Sequence, residues 1–306
     1  GFGGLSEAFD GGNRAWRKEH EAIKSFLTET EFASARASTL NAFYTPPQLI
    51  EAVYQGLERA GFHGGNILDP STGTGRFLRH MPTAMRAGSK CVGVELDSLT
   101  AGIARYVSSN AKILNKGFEK TAFPDDSFDL AISNVPFGNY IISNSRYEKN
   151  YFIHDFFLKQ MLDQTRPGGL VVAITSHGTM DKKNPALRRE LARKGELVRA
   201  LRLPNPLFKG AGTEDVCTDL LIFKKREQKL AADAPMPSWT ESVEQEKTFF
   251  NSKGKPIEAK YDLSAYFVEH PQDILGEATV KTSAYGLEPY VKGSDLETTL
   301  ARVQEA

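Results

Sequence analysis

The chain reads as an α/β protein: an open, mainly parallel sheet with helices on both faces. From residue 66 onward, apolar runs of strand length alternate with stretches of helical length. NILDP, CVGVEL, AKIL, FDLAIS and LVVAITS are separated by RFLRHMPTAM, SLTAGIARYVSSN and IHDFFLKQMLDQT. Such alternation builds parallel strands covered on both sides. The rhythm then changes, because LVRALRLP and VCTDLLIFKK are joined by the loop NPLFKGAGTED with no helix between them. That spacing predicts an antiparallel hairpin closing the sheet.

In chain order, Ala15, Trp16, His20, Ile23, Phe26 and Leu27 recur at helical spacing and predict a helix over residues 13–30. The polar stretch ASARASTLNAFY leads from it to TPPQLIEAVYQGLERAG, where prolines in the first turn and Gly61 past the end bracket a helix of about 14 residues. After Lys225 the text turns Pro-rich and acidic, AADAPMPSWTESVEQEK, and the rest has no strong period. The division expected is an N-terminal helical segment over 1–43, a main domain over 44–225, and a linker with a small appendage over 226–306.

Composition narrows the classes. Of 306 residues, 40% are hydrophobic and 25% charged, ordinary for a globular domain. No apolar run approaches the roughly 18 residues of a membrane span, and nothing resembles a signal peptide. Cys91 and Cys217 form no ligand pattern and the six histidines show no metal spacing. The expectation is a reducing, cytoplasmic setting without a metal. Lys and Arg balance Asp and Glu at 38 each, but residues 226–306 carry 9 basic against 14 acidic groups. A nucleic-acid binder is usually more basic than this. The first residues, GFGGLSEAFDGG, lack a Met, which fits a processed chain, a piece of a longer one or a cloning remnant.

In parallel sheets ligands bind beyond the carboxyl ends of the strands, so the residues after each run carry the chemistry. ILDPSTGTGRFL ends a strand in Asp69 and turns through glycines into a helix near Arg76; glycines let a ligand approach the backbone, and the helix start offers free N–H groups. A dinucleotide fold would want a third glycine where Leu78 stands. Glu95 ends the next strand, where an acid can accept from two ribose hydroxyls. Phe118 and Glu119 follow the third strand, where an adenine amino group would lie, and NVPF, Asn134 to Phe137, follows the fourth.

In this order TPP, DPSTGTGRF, the acids at 95 and 119 and NVPF resemble the amino-methyltransferases that modify adenine N6 in DNA, the group whose recognition domain comes last. The resemblance spans roughly residues 40–225, and LRLPNPLFKGAGTEDVCTDLLIFKK is similar to restriction-system modification subunits and mobile-element methylases. It implies a seven-stranded Rossmann-like methyltransferase sheet, S-adenosylmethionine as cofactor, and DNA as partner in a bacterial, phage or mobile-element setting.

By the resemblance, Asn134 and the carbonyl of Val135 accept from the target amine, Pro136 stiffens the turn, and Phe137 stacks on an extruded base, as Phe208 would unless it is an apolar plug of the hairpin. Tyr44, Thr45, Asp69, Ser71, Thr72, Gly73 and Gly75 face the methionine end of the cofactor. Glu95 meets its ribose, and Leu96, Phe118 and Glu119 its adenine. His154 and Asp155 are candidates for the same pocket. Val135 departs from the pattern, which has Pro there. The basic run DKKNPALRRELARKGELVRALR reads as a solvated helix face rather than a phosphate grip. Methylation of RNA or of protein glutamine, or a catalytically silent scaffold module, are the rival readings. Residues 226–306 are short for a recognition domain, so weak DNA binding by this chain is expected, with recognition supplied by further domains or a specificity subunit.

Overall fold

The N-terminal segment folds as two helices rather than one. α1 (Arg17–Phe26) and α2 (Glu29–Ser38) part at Thr28. Its hydroxyl accepts the Glu31 N–H while the Glu31 carboxylate accepts the Thr28 N–H, a reciprocal cap that starts a new helix. The run ASARAS, expected as connecting chain, is the body of α2. Phe9, Phe32 and Ala35 join Ile23 and Leu27 in a small core of their own. α3 (Pro47–Arg59) begins on the proline pair as expected and is closed by Gly61 at φ +88°. The computed structural model describes residues 5–39, 44–138, 140–208, 216–250, 255–283, 286–293 and 295–306.

The sheet follows. β1 (Asn66–Asp69), α4 (Arg76–Arg79), α5 (Thr83–Ala87), β2 (Lys90–Glu95), α6 (Ser98–Val107), β3 (Ala111–Asn115) and β4 (Phe128–Asn134) come in that chain order. A two-stranded ribbon, β5 (Ile141–Ile142) with β6 (Tyr151–Phe152), leads into α7 (Ile153–Gln164) and β7 (Thr165–Ser176). After α8 (Gly178–Asp181) and α9 (Ala186–Lys194), β8 (Gly195–Leu203) takes the edge. β9 (Thr218–Lys225) returns between β8 and β7, antiparallel to both. The order is β3-β2-β1-β4-β7-β9-β8, the seven-stranded sheet with a terminal hairpin that the sequence predicts. Side chains alternate across it. Ile67, Leu130, Ile132, Val172 and Ile174 pack with α3 on one face; Leu68, Ala131, Val171 and Ala173 pack with α7 on the other. Among the described residues no helix is long and apolar enough to cross a membrane.

Residues 226–306 are no loose appendage. They form β10 (Ser242–Phe250), β11 (Pro256–Ser264), α10 (Ala265–Glu269), β12 (Gly276–Ser283), β13 (Gly286–Gly293) and α11 (Leu296–Gln304). Trp239, Tyr266 and Phe267 enter one core, Leu275 and Val303 the other. α11 lies close against α3 at Gly56, where a Cβ would come within 3.3 Å of the Val303 and Gln304 carbonyls. The Leu275 N–H donates to the Arg202 carbonyl at 2.9 Å, covering part of the edge strand β8.

The basic run of residues 182–202 is partly solvated, as expected, but much of it is paired with the tail. Arg189 pairs with Glu241 at 2.8 Å, Arg199 with Asp273 at 2.7 Å, and Lys183 with Glu244 at 3.5 Å. Arg188 donates to the Thr240 carbonyl, and Arg193 to those of Ala231 and Ala232. The basic stretch holds the acidic tail. At its end, buried Arg202 lies between Asp181 at 2.9 Å and Asp219 at 2.8 Å, 4.3 Å above the Phe267 ring. Asp181 also accepts the Ser264 N–H at 2.9 Å. Arg202→Met would leave two carboxylates buried without their cation. We expect a loss of about 3–5 kcal/mol in urea unfolding; a loss below about 1 kcal/mol would show that water reaches the pair.

Candidate active site

The strand order reverses between β1 and β4, and a cavity of about 340 Å³ opens beyond their carboxyl ends. Ser71 and Gly73 form its floor, Glu95 and Leu96 one side, Phe118 and Glu119 the far end, and Asn134 and Pro136 the near end. Tyr44 also lines it, with the Arg76 guanidinium 4.9 Å above its ring, and Arg76 donates to the Thr45 carbonyl at 3.0 Å.

The glycine loop is shaped by its backbone. Gly73 and Gly75 sit at φ +54° and +82°. A Cβ on Gly73 would meet nothing within 4 Å, so this backbone faces open space; one on Gly75 would strike the Ser108 hydroxyl at 2.8 Å. The Thr72 N–H donates to the Val94 carbonyl at 2.9 Å, tying the loop to β2. Glu95 is oriented from two sides: Gly73 N–H donates to one carboxylate oxygen at 2.9 Å and Asp97 N–H to the other at 2.8 Å. Burial pushes the Glu95 carboxyl up, against the pull of those two donors. Glu119 folds back over Gly117, where a Cβ would strike its carboxylate.

At the near end, β4 finishes in Asn134, paired with Ile174 of β7. The Val135 N–H donates to the Ile174 carbonyl at 3.0 Å, and the Val135 side chain is buried in the core. Ser71 donates to the Asn134 carbonyl at 2.8 Å, and its hydroxyl lies 2.7 Å from that of Ser133, itself 2.7 Å from Asp69 Oδ1.

Several expected positions differ. Asp69, Thr72 and Thr45 are buried and do not line the cavity, nor does Gly75; the Val135 side chain is buried too, but the role expected there belongs to its carbonyl. Phe208 is fully buried in the core with Leu203 and Leu220, so the hairpin uses it as an apolar plug and it cannot stack on a base from there. Phe137 is only 7% exposed and does not line the cavity. His154 and Asp155 face Lys182, whose Nζ is 2.9 Å from the Asp155 carboxylate, and stand outside the cavity.

Conversely, the cavity is lined by residues that periodicity does not single out. Ser34 and Ala37 come from α2, Tyr140 and Ile142 from beyond the NVPF turn, and Phe157 from α7. Ser34 donates to Asp97, which also caps α6. The signal that could have found α2 was its capping box. Nothing local marks Tyr140 except its place in NVPFGNY. Its ring, 40% exposed, packs near Gly138, and burial together with the nearby Glu119 charge pushes its phenol up.

The reversed strand order, glycine loop, strand-end acid and terminal hairpin define a class I methyltransferase fold. The likeness to solved structures agrees. A class I S-adenosylmethionine-dependent methyltransferase from Listeria monocytogenes superposes at TM-score 0.53 and 20% identity, covering 74% of this chain and 76% of that one. The type I restriction-modification methyltransferase subunit from Streptococcus thermophilus gives 0.52 at 19% identity, over 69% of this chain and 53% of that one. In sequence, the chain is 31% identical over 206 residues to "Defense against restriction protein B" of Escherichia phage P1, which is 65% of this chain but 9% of that protein. It is 35% identical over 114 residues to Type II methyltransferase M.CvrRI of Paramecium bursaria Chlorella virus XZ-6E, 37% of this chain and 29% of that protein. The chain thus spans less than a third of either relative. The N-6 DNA Methylase family profile matches residues 25–262, and the chain belongs to that family.

Proposed function

We propose that this chain transfers a methyl group from S-adenosylmethionine to the N6 amine of adenine in DNA, as the catalytic part of a larger protein or complex. The observation that carries the reading is one cavity with Glu95 and the glycine loop at one side and Asn134 with Pro136 at the near end. The residues present suit the cofactor. A carboxylate has about four lone-pair sites and Glu95 uses two of them on backbone donors, which leaves room for two ribose hydroxyls. Leu96 and Phe157 offer apolar faces for a purine, and Glu119 an acceptor for its amino group. Bound there, S-adenosylmethionine would supply an electrophilic methyl on sulfur.

The chain's own residues solve the other half of the problem. An exocyclic amine on adenine is a poor nucleophile because its lone pair is delocalised into the ring. Acceptors on both amine hydrogens favour a pyramidal nitrogen with a directed lone pair, and the Asn134 side-chain oxygen and the Val135 carbonyl are assigned that role. Val supplies a carbonyl as Pro would. Pro136 limits the turn to one conformation. Holding nitrogen and methyl near contact distance provides the remaining acceleration. No strong general base is required, since a methylated ammonium is acidic. Tyr140 is an aromatic ring open to the cavity, whereas Phe137 is covered. Base recognition is assigned to other parts of the protein or to a partner subunit, because much of the basic run of residues 182–202 is engaged by the tail.

The direct test is a nucleoside digest of DNA methylated with isotope-labelled cofactor; label in N6-methyladenosine from RNA, or in methylglutamine, would sink the assignment. Two variants probe the roles. Glu95→Ala should weaken S-adenosylhomocysteine binding by about 5- to 150-fold in calorimetry, the cost of roughly 1–3 kcal/mol for unpaired buried hydroxyls. Unchanged affinity would remove Glu95 from the site. Asn134→Ala should leave that affinity within a few-fold but lower turnover at least about 100-fold, as for a group that matters mainly in the transition state. Equal losses in both would reduce Asn134 to a support of the fold.

A further inference from the structure

Three oxygen–oxygen contacts run from the end of β1 to the end of β4. Asp69 Oδ1 lies 2.7 Å from Ser133 Oγ, Ser133 Oγ lies 2.7 Å from Ser71 Oγ, and Ser71 Oγ lies 2.8 Å from the Asn134 carbonyl. Each contact needs one proton to be a hydrogen bond. A main-chain carbonyl brings none and the two serine hydroxyls bring one each. An ionised Asp69 would also only accept. Two protons would then serve three contacts, and one pair of oxygens would face each other through lone pairs. A neutral Asp69 supplies the third proton. All three bonds then run in one direction: Asp69 donates to Ser133, Ser133 to Ser71, and Ser71 to the Asn134 carbonyl.

We propose that Asp69 is a positioning residue that works in its protonated form, ordering the chain of hydroxyls that sets the glycine loop against the amide ending β4. The consequence for catalysis rests on the function proposed above; the protonation does not. Asp69 is fully buried and stands behind the cavity wall, where an ion would be poorly solvated. The titratable groups facing it are Glu95 from β2 and the Tyr54 phenol from α3. Glu95 adds negative charge, and a phenol adds no positive charge. Burial first, helped by Glu95, pushes the Asp69 carboxyl up to about 7, against the downward pull of hydrogen bonding with Ser133, Thr72 and the Ser71 main chain. Thr72 gives no proton to the chain between the serines.

The sign follows. With the folded value above the ordinary carboxylate one, Asp69 favours the folded state at low pH, and that contribution is lost progressively as pH rises from about 4 to about 7. Isotope-edited infrared spectra of the protein labelled at aspartate carboxyls should show a protonated-carboxyl band at about pH 5.5. The band should disappear near pH 7 and be absent from Asp69→Asn. An amide at position 69 can donate to Ser133 at every pH, so between about pH 4.5 and 7.5 the unmodified protein should lose several degrees of melting temperature that Asp69→Asn does not lose. Asp69→Ala, with no donor, should melt lower than both at low pH.

The infrared arm reads the unmodified protein and needs no variant to fold. No protonated-carboxyl band from buried aspartate at pH 5.5 would overturn the proposal. So would an Asn variant whose melting follows that of the Ala variant. Neither readout uses methyl transfer, so a failure of the proposed function shows separately, as DNA left unmethylated. Given transfer, turnover of the unmodified protein should fall about 10-fold between pH 6.5 and 8.5, and that of Asp69→Asn should not, the 10-fold corresponding to roughly 1.4 kcal/mol.

Discussion

The site depends on a gap between two strands. β1 and β4 pair along Ile67–Leu130 and Leu68–Ala131, then part because their connections leave in opposite directions across the sheet. A parting of this kind exposes backbone at two strand ends, and buried backbone must find partners. Ser71 and Ser133 span the opening, so the loop after β1 and the turn after β4 are held at a fixed separation by short hydroxyl contacts rather than by packing alone. Hydroxyls suit this place. They give and accept in one small group, and their geometry is much stiffer than an apolar contact of the same size.

Charge arrangement explains the second large feature. A net charge of zero hides a basic stretch at 182–202 and an acidic tail, and the two find each other. Surface pairs such as Arg189–Glu241 contribute little individually. Arg202 is different, since it is enclosed with Asp181 and Asp219 and bonded to them at good geometry. Removing either side of such a group leaves a buried ion, so it acts as a requirement on register more than as a source of stability. Through the Ser264 N–H it fixes the end of β11, and through Phe267 it seats α10 in the core. The tail is thereby packed into the same cores as the sheet.

Much of this was legible in the sequence because strand-length apolar runs and strand-end chemistry are local signals. NILDP, CVGVEL and FDLAIS became β1, β2 and β4, and Glu95, Glu119 and Asn134 came to one cavity. What failed to read was long-range. Phe208 looks the same in a loop whether its ring points into a core or at a ligand, and only the three-dimensional position of Leu203 and Leu220 decides it. Asp69 reads as a ligand-facing acid, but its burial depends on what covers the end of β1. The helix α2 has a polar composition that reads as connecting chain, and its start is marked only by the reciprocal cap between Thr28 and Glu31. Tyr140 and Ser34 reach the cavity from segments that no periodic pattern ties to it.

Val135, where the motif has Pro, has a structural use of its own. Proline at this position would supply the same carbonyl but no N–H. Here the N–H is used: it donates to the Ile174 carbonyl at 3.0 Å and carries the β4–β7 ladder one residue beyond Asn134. The valine side chain, fully buried, also fills a slot in the core under α7 that a pyrrolidine ring would fill differently. Rigidity that a second proline would give through its ring is given instead by a hydrogen bond and a packed side chain. Pro136 then begins the turn alone. The turn that presents the amide is thus anchored on both sides, by the ladder to β7 and by the Ser71 hydroxyl to the glycine loop. The main chain around Asn134 is thereby fixed in two directions.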